Sequence, residues 1–190
     1  AMQPIMCGIG YRGLEGINCT EESYIKWHDM IHRCYNAKFH KRQPQYKECI
    51  VCEEWLNYSN FKVWYDQHKI HGMEMDLDKD ILFKGNKVYS PETCCLVPHG
   101  INTLFLNGKK NRGDLPLGVY FDKSKGKYRA EMSFMGEQIK IGTFDTVESA
   151  FGKYKEYKED FIKKIAGQNR ERIPYKVYEA MMGWKIEIDD

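Results

Sequence analysis

Four oxygen-bearing side chains in the middle of the chain have the chemistry of ligands for a divalent cation. They are Asp78, Asp80, Asn86 and Asn102, and carboxylate and amide oxygens are the ligands that hard cations such as Mg²⁺ prefer. Lys79 lies between the two aspartates. A lysine is charged near pH 7 and is a poor general base unless burial lowers its pKa. These side chains have the atoms that an oxygen-ligand site requires, but they do not supply a base.

Histidine and cysteine pairs give a weaker signal for metal binding. His28 and His32 are four residues apart, which places them on one face of a helix, but no carboxylate completes the metalloprotease pattern. Cys49 and Cys52 have the spacing of one zinc pair, whereas a structural zinc site needs a second pair. We therefore expect the histidines on a helix surface and most of the seven cysteines as reduced, buried thiols.

A second kind of chemistry is indicated by the charge pattern towards the C-terminus. Residues 109–144 contain eight Lys or Arg against four Asp or Glu, although the whole chain has a net charge of only +2. A period of two within this segment separates two faces of a sheet. Such a face is either an ordinary solvated surface or a ribbon that fits the major groove of DNA. The polar face holds Lys127, Arg129, Glu131, Gln138 and Lys140, and the apolar face holds Tyr128, Ala130, Met132, Ile139 and Ile141.

The elements that must position these residues follow from periodicity and from capping residues. Apolar residues at helical spacing predict a helix over 21–36, and Ser59 is expected to cap a second helix. Residues 76–105 predict a strand, a turn, a strand and a helix, with Ser90 as N-cap and Pro91 at the first helical position. Residues 118–144 predict three strands. Thr146 and Pro174 are expected to begin two further helices.

Composition excludes several classes of protein. A hydrophobic content of 42% with 14% aromatic residues is typical of a folded chain rather than a disordered one. No apolar run approaches the roughly 20 residues of a membrane span, and no charged-then-apolar leader is present. We therefore expect a soluble cytoplasmic protein with no membrane partner.

Several short runs occur in a fixed order along residues 118–154. They are Gly118-Val119, Gly126-Lys127-Tyr128, Ala130-Glu131-Met132, Ile141-Gly142-Thr143-Phe144, Thr146-Val147-Glu148-Ser149-Ala150 and Tyr154. In these runs the chain resembles the DNA-binding domain of plant ethylene-response factors, the Apetala-type fold, which also occurs in phage and bacterial nucleases. The resemblance implies a sheet that enters the major groove, with contacts carried over by position to Tyr120, Lys125, Glu131, Ser133, Gln138 and Lys140, and the polar face adds Lys127 and Arg129. Several outward arginines of the plant proteins are Tyr120, Asp122, Ser133 and Gln138 here, which predicts a different target sequence.

The segment upstream, LDKDI…GNKVYSPETCCLVPHGIN, resembles the ββα motif of HNH nucleases in phage and homing-type proteins. This resemblance implies catalytic roles for Asp78, Lys79 and Asn102 and a cation bound by Asp78, Asp80 and Asn102. The base is normally a histidine at the end of the first strand, where this chain has Lys79. His71 and His99 flank the motif, and spacing alone does not show whether either replaces that base.

The expected fold class is α+β. It consists of a helical N-terminal region with an HNH-like ββα motif, followed by a three-stranded antiparallel sheet packed on one helix. The expected domains are a helical and HNH-like region over 1–107, a basic linker over 108–114, an Apetala-type domain over 115–166 and a helical extension over 167–190.

The expected function is binding of double-stranded DNA by a protein of phage origin related to HNH homing-type endonucleases. Metal-dependent nicking is left open, with Mg²⁺ or another divalent cation as cofactor if the protein is a nuclease and none otherwise. The alternative is a catalytically inactive phage accessory or counter-defence protein that binds a host protein.

Overall fold

The computed structural model describes residues 5–13, 16, 18–106 and 113–190, and these residues form two compact units. The first unit ends at Pro98 and the second begins at His99. Most of the predicted linker, residues 108–112, lies outside the described residues. No helix among the described residues combines the length and the apolar character that crossing a bilayer requires.

The first unit is mainly helical. Its helices are α1 (Glu22–Tyr35), α2 (Ala37–Arg42), α3 (Glu53–Leu56) and α4 (Tyr58–His68), with a 3-10 turn at Pro44–Tyr46. Its strands are β1 (Ile50–Val51), β2 (Met75–Asp78), β3 (Val88–Tyr89) and β4 (Cys95–Pro98).

An aromatic core holds the first unit together. Trp27, Trp55, Tyr58 and Phe61 are fully buried. The indole N–H of Trp27 donates to the carbonyl of Trp55 at 2.7 Å, so this core satisfies a polar group that α1 buries. The predicted first helix is confirmed, although its N-cap is Glu21.

The strand pairing of this unit differs from the prediction for residues 76–105. Ser90 does not begin a helix: its hydroxyl accepts from the amide of Thr93 at 3.3 Å and closes a turn. β3 pairs in parallel with β1 rather than returning along β2. The antiparallel partner of β2 is β4, with Leu77 opposite Leu96. The predicted helix beginning at Ser90 is therefore wrong: residues 95–98 form the strand β4 because they pair with β2, and the helix that follows is α5 (His99–Thr103).

The second unit is the predicted three-stranded antiparallel sheet packed on one helix, which confirms the α+β class. After α5 come β5 (Val119–Asp122), β6 (Lys127–Phe134), β7 (Glu137–Phe144), α6 (Val147–Gln168) and α7 (Tyr175–Met182).

The inner face of the sheet packs on α6. Val119, Ala130 and Met132 are buried there, and Phe134 contacts Phe161 of α6 edge-on with ring centroids 5.1 Å apart. β6 lies between β5 and β7, and a register shift between Ala130 and Glu131 marks a β-bulge. The prediction that Thr146 begins α6 is confirmed. Its hydroxyl accepts from the amide of Ser149 at 3.1 Å and caps the helix.

One charged residue of α6, Lys158, belongs to the buried face of the helix. Its exposed fraction is 5%, and burial lowers the pKa of its ammonium from 10.5 to about 8. Because the folded pKa lies below the unfolded one, the unfolded chain binds more protons between pH 8 and pH 10.5. Stability contributed by this group is therefore lowest below pH 8 and rises through that window.

We expect the free energy of unfolding of the parent to gain up to about 3 kcal/mol between pH 8 and pH 10.5, relative to Lys158→Met. Lys158→Met removes the titrating ammonium. The pH dependence of its stability therefore records the contribution of all other titrating groups, which is subtracted from that of the parent. Urea titrations of both proteins at a series of pH values give the difference. Parallel stability curves for the two proteins would contradict the assigned burial.

Candidate nucleic-acid interface

The face of the sheet directed away from α6 is the candidate interface, and we call it the outward face. Alternation along the strands and the observed register place these side chains on one side. Tyr120 lies opposite Arg129, which in turn lies opposite Thr143. The outward face consists of Tyr120, Asp122, Lys127, Arg129, Glu131, Ser133, Gln138, Lys140 and Thr143.

The predicted DNA-binding residues lie together in the second unit. Tyr120, Lys127, Gln138 and Lys140 are exposed on the outward face, and Lys125 is exposed in the turn between β5 and β6. Tyr120 is 42% exposed and lies on β5, an edge strand of the sheet. Ser133 is also exposed, so six of the predicted side chains are accessible to a large partner.

Glu131 differs from these residues because its side chain is only 7% exposed. One of its carboxylate oxygens accepts from the amide of Gln138 at 2.8 Å. The other lies 3.0 Å from a guanidinium nitrogen of Arg129, which is itself half-buried. Glu131 is held between these two neighbours, and this arrangement leaves it little surface for a base.

Ion pairs neutralise much of the charge on this face. Arg129 also lies 3.8 Å from Asp122, and the ammonium of Lys127 lies 3.0 Å from Asp145. The pKa of Asp122 lies below its usual value. The largest cause is the hydrogen bond from the Ser124 hydroxyl, and turn amides and the charge of Arg129 act in the same direction. Paired charges bind phosphate weakly, because an incoming phosphate has to compete with the existing carboxylate.

Two lysines of the interface are not neutralised in this way. Among the described residues, no carboxylate lies within 4.0 Å of the ammonium of Lys125 or Lys140. Lys140 lies on β7 opposite Glu131, whose charge Arg129 already balances. The two lysines therefore carry the positive charge that this surface can offer to a polyanion.

The predicted cation ligands are engaged in the loop that follows β2. One oxygen of Asp78 accepts the backbone amides of Asp80 and Ile81 at 2.7 and 2.6 Å. Burial raises the pKa of Asp78, which disfavours its charged form. Both oxygens of Asp80 accept from the ammonium of Lys79, at 2.9 and 2.7 Å.

Lys79 and Asn86 complete this network and fix the loop. The ammonium of Lys79 also donates to the carbonyl of Asn86 at 2.6 Å, and the Asn86 amide donates to the carbonyls of Lys79 and Val88. Lys79 is 9% exposed, so its amine lies inside the loop. Asn102 belongs to the second unit, in α5.

As arranged, these side chains do not fit a divalent cation. Asp80 is bound by the lysine, and Asp78 is bound by backbone amides through one oxygen. In the described part of the chain, no group of three or more His, Cys, Asp or Glu side chains is placed to hold a metal ion. We therefore derive no chemical step through a metal from this loop.

The contacts of Glu131 with Arg129 and Gln138 could not be predicted from the alternation of polar and apolar residues. That alternation placed all three side chains on one polar face. The signal for these contacts was present in part. Gln138 lies on the strand paired with that of Glu131, in the diagonal position, and diagonal neighbours on paired strands are within reach of long side chains. The β-bulge between Ala130 and Glu131 decides which residues face each other, and the alternation of polar and apolar residues does not indicate it.

A scan of the chain against protein-family models found no match, and searches of curated proteins and of solved structures found none either. The comparisons therefore assign the chain to no family. The two family resemblances remain interpretations of its own residues, beside the geometry described above.

Proposed function

We propose that the protein binds double-stranded DNA through the outward face of the sheet β5–β7. The observation that carries this proposal is a narrow, exposed three-stranded face on which Lys125 and Lys140 have no carboxylate partner among the described residues. The major groove is wide enough to admit a small sheet. The resemblance of residues 118–154 to Apetala-type domains supports the same orientation.

The proposed contacts differ in kind. Lys125 and Lys140 would meet phosphates, while the exposed ring of Tyr120 would lie against the groove. Arg129 and Lys127 would contribute less affinity, since each is paired with a carboxylate in the folded protein. Phosphate contacts position a protein on DNA and carry little sequence information. This face therefore favours weakly sequence-dependent binding.

We expect Lys140→Ala to weaken binding to all duplex sequences and to leave the fold intact. Each lost phosphate contact reduces the slope of log affinity against log salt by about 0.9. Fluorescence anisotropy with a labelled duplex, repeated at several salt concentrations, measures both quantities. Lys164→Ala, on an exposed position of α6, is the matched control and should bind as the parent does. A Lys140→Ala protein with the parental affinity and slope would overturn the assigned face.

Cleavage is expected to be weak or absent with Mg²⁺ or Mn²⁺. The reason is that Lys79 holds Asp80 and occupies the position where a base histidine is expected. A nicking assay on supercoiled plasmid tests this expectation. Efficient nicking that disappears in Asp78→Ala or in Asn102→Ala would show that the site rearranges and would favour the endonuclease interpretation.

The neutralised face also supports a second candidate function, an accessory protein of phage origin that binds a host protein. Carboxylates and cations alternate on the outward face, as in Asp122, Arg129 and Glu131, and mixed charge is common at protein interfaces. The same anisotropy experiment distinguishes the candidates, since the absence of salt-dependent DNA binding would favour the protein partner.

A further inference from the structure

Lys158 differs from the other buried charged residues of the described chain in having no counter-charge. Lys79 is paired with Asp80, Glu131 with Arg129, and Glu159 with Lys155 and Lys185. No carboxylate of the described residues lies within 4.0 Å of the Lys158 ammonium, whose side chain is 95% buried. Folded proteins rarely bury a charge without a partner, because the lost hydration is costly.

The side chain is not sealed inside the core. Lys158 lines a cleft of about 570 Å³ in the second unit. The cleft exists because β5 has four residues and β6 has eight, so residues 131–134 of β6 extend past the end of β5. The last backbone bond on that side runs from the amide of Glu131 to the carbonyl of Gly118.

The walls of the cleft combine an apolar body with one cationic end. Leu117, Met132 and Phe134 contribute apolar surface, and Tyr154 lies one helical turn before Lys158 on α6. Glu131 is the acidic residue in the lining; Gln138 donates to one of its oxygens, and the charge of the other is balanced by the ion pair with Arg129 at 3.0 Å. His99 and Thr103 of α5 complete the polar lining.

We propose that this cleft is a binding site for a small amphiphilic anion, with its carboxylate or phosphate group against Lys158 and its apolar part along Leu117, Met132 and Phe134. An ammonium group has three donors and no acceptor, so the group that satisfies it must accept hydrogen bonds. An anion also supplies the missing counter-charge. The lowered pKa of Lys158 agrees with this, since burial without a nearby anion lowers the pKa of an amine.

The cleft shares Tyr120, Glu131 and Ser133 with the outward face, but its proposed anion contact, Lys158, differs from the proposed phosphate contacts Lys125 and Lys140. Lys158 lies on the buried face of α6, which packs on the inner side of the sheet, whereas Lys125 and Lys140 lie on the outer side. Ligand binding can therefore be measured without DNA, and a failure of either proposal leaves the other unaffected.

The experiment is calorimetric titration of the full chain with octanoate, octyl phosphate and octanol. We expect one of the two anions to bind at a single site and octanol to bind about tenfold more weakly, as the loss of one charge-assisted hydrogen bond predicts. Whichever head group binds more tightly identifies the chemistry of the anion.

Two variants test the role of Lys158. Lys158→Met keeps the length of the side chain and should lose about tenfold in anion affinity while leaving octanol binding unchanged. Lys164→Met, on an exposed position of the same helix, should bind as the parent does. The proposal is overturned if neither anion binds at millimolar concentration, if octanol binds as tightly as the anions, or if Lys158→Met keeps the parental affinity.

Discussion

Gly118→Ala is expected to lower the free energy of unfolding of the second unit by about 2–5 kcal/mol. Gly118 has a φ of +75°, in the left-handed region that side chains other than glycine rarely adopt. A Cβ at this position would also lie 2.0 Å from the ring of Tyr154. Both the backbone and the packing of β5 against α6 would therefore have to shift.

Gly126→Ala separates these two causes. Gly126 has a φ of +61°, but a Cβ there would meet no atom within 4 Å. This variant should therefore show only the backbone cost, about 1–2 kcal/mol. Urea denaturation followed by circular dichroism measures both variants. Equal losses in the two proteins would mean that the approach of Gly118 to Tyr154 does not constrain the sheet.

Arg129→Ala is expected to lower both stability and DNA affinity. Removing the guanidinium leaves the carboxylate of Glu131, 7% exposed, without its nearest cation. Leaving a buried charge unpaired lowers the free energy of unfolding by about 1–3 kcal/mol. We expect a loss near the lower end of this range, because Arg129 is partly exposed and solvent screens the pair. The remaining negative charge of Asp122 and Glu131 would also repel phosphates across the outward face.

The double variant Arg129→Ala/Glu131→Gln tests this explanation. Neutralising Glu131 removes the unpaired charge, so stability and most of the DNA affinity should return. Thermal melts and anisotropy titrations of the parent, the single variants and the double variant form a complete cycle. A single Arg129→Ala protein that melts like the parent would show that Glu131 does not depend on this ion pair. A double variant that is stable but still binds DNA poorly would assign Arg129 a direct contact.

Local rules in the sequence were sufficient for most of the second unit. The turns at residues 123–126 and at Met135–Gly136 separate three strands whose alternation sorted Ala130 and Met132 inward, as the structure confirms. Thr146 and Pro174 mark the beginnings of α6 and α7 because capping and a fixed proline φ act within a few residues. Such signals need no knowledge of the rest of the chain.

Residues 90–98 show where a local signal was overridden. Ser90 followed by Pro91 is typical of a helix start, yet Cys95–Pro98 pairs with β2 as a strand instead. A short apolar run has the same appearance in a buried strand and in a buried helix. The partner strand decided between them, and β2 lies almost twenty residues earlier in the chain.

Only the tertiary structure decided which charges are buried. Lys158 follows Tyr154 and precedes Ile162 by one helical turn each, so the period of α6 places it on the buried face. A lysine in the sequence nevertheless predicts a solvent-exposed side chain, because charged groups are usually exposed. Whether it lies in solvent or in a cleft depends on where β5 ends beside β6. The same holds for Glu131, whose burial follows from the approach of Arg129 and Gln138 across the sheet. The sequence by itself determined the elements of the second unit and the two faces of its sheet, whereas long-range packing decided that residues 95–98 form a strand and which polar groups remain accessible to a partner.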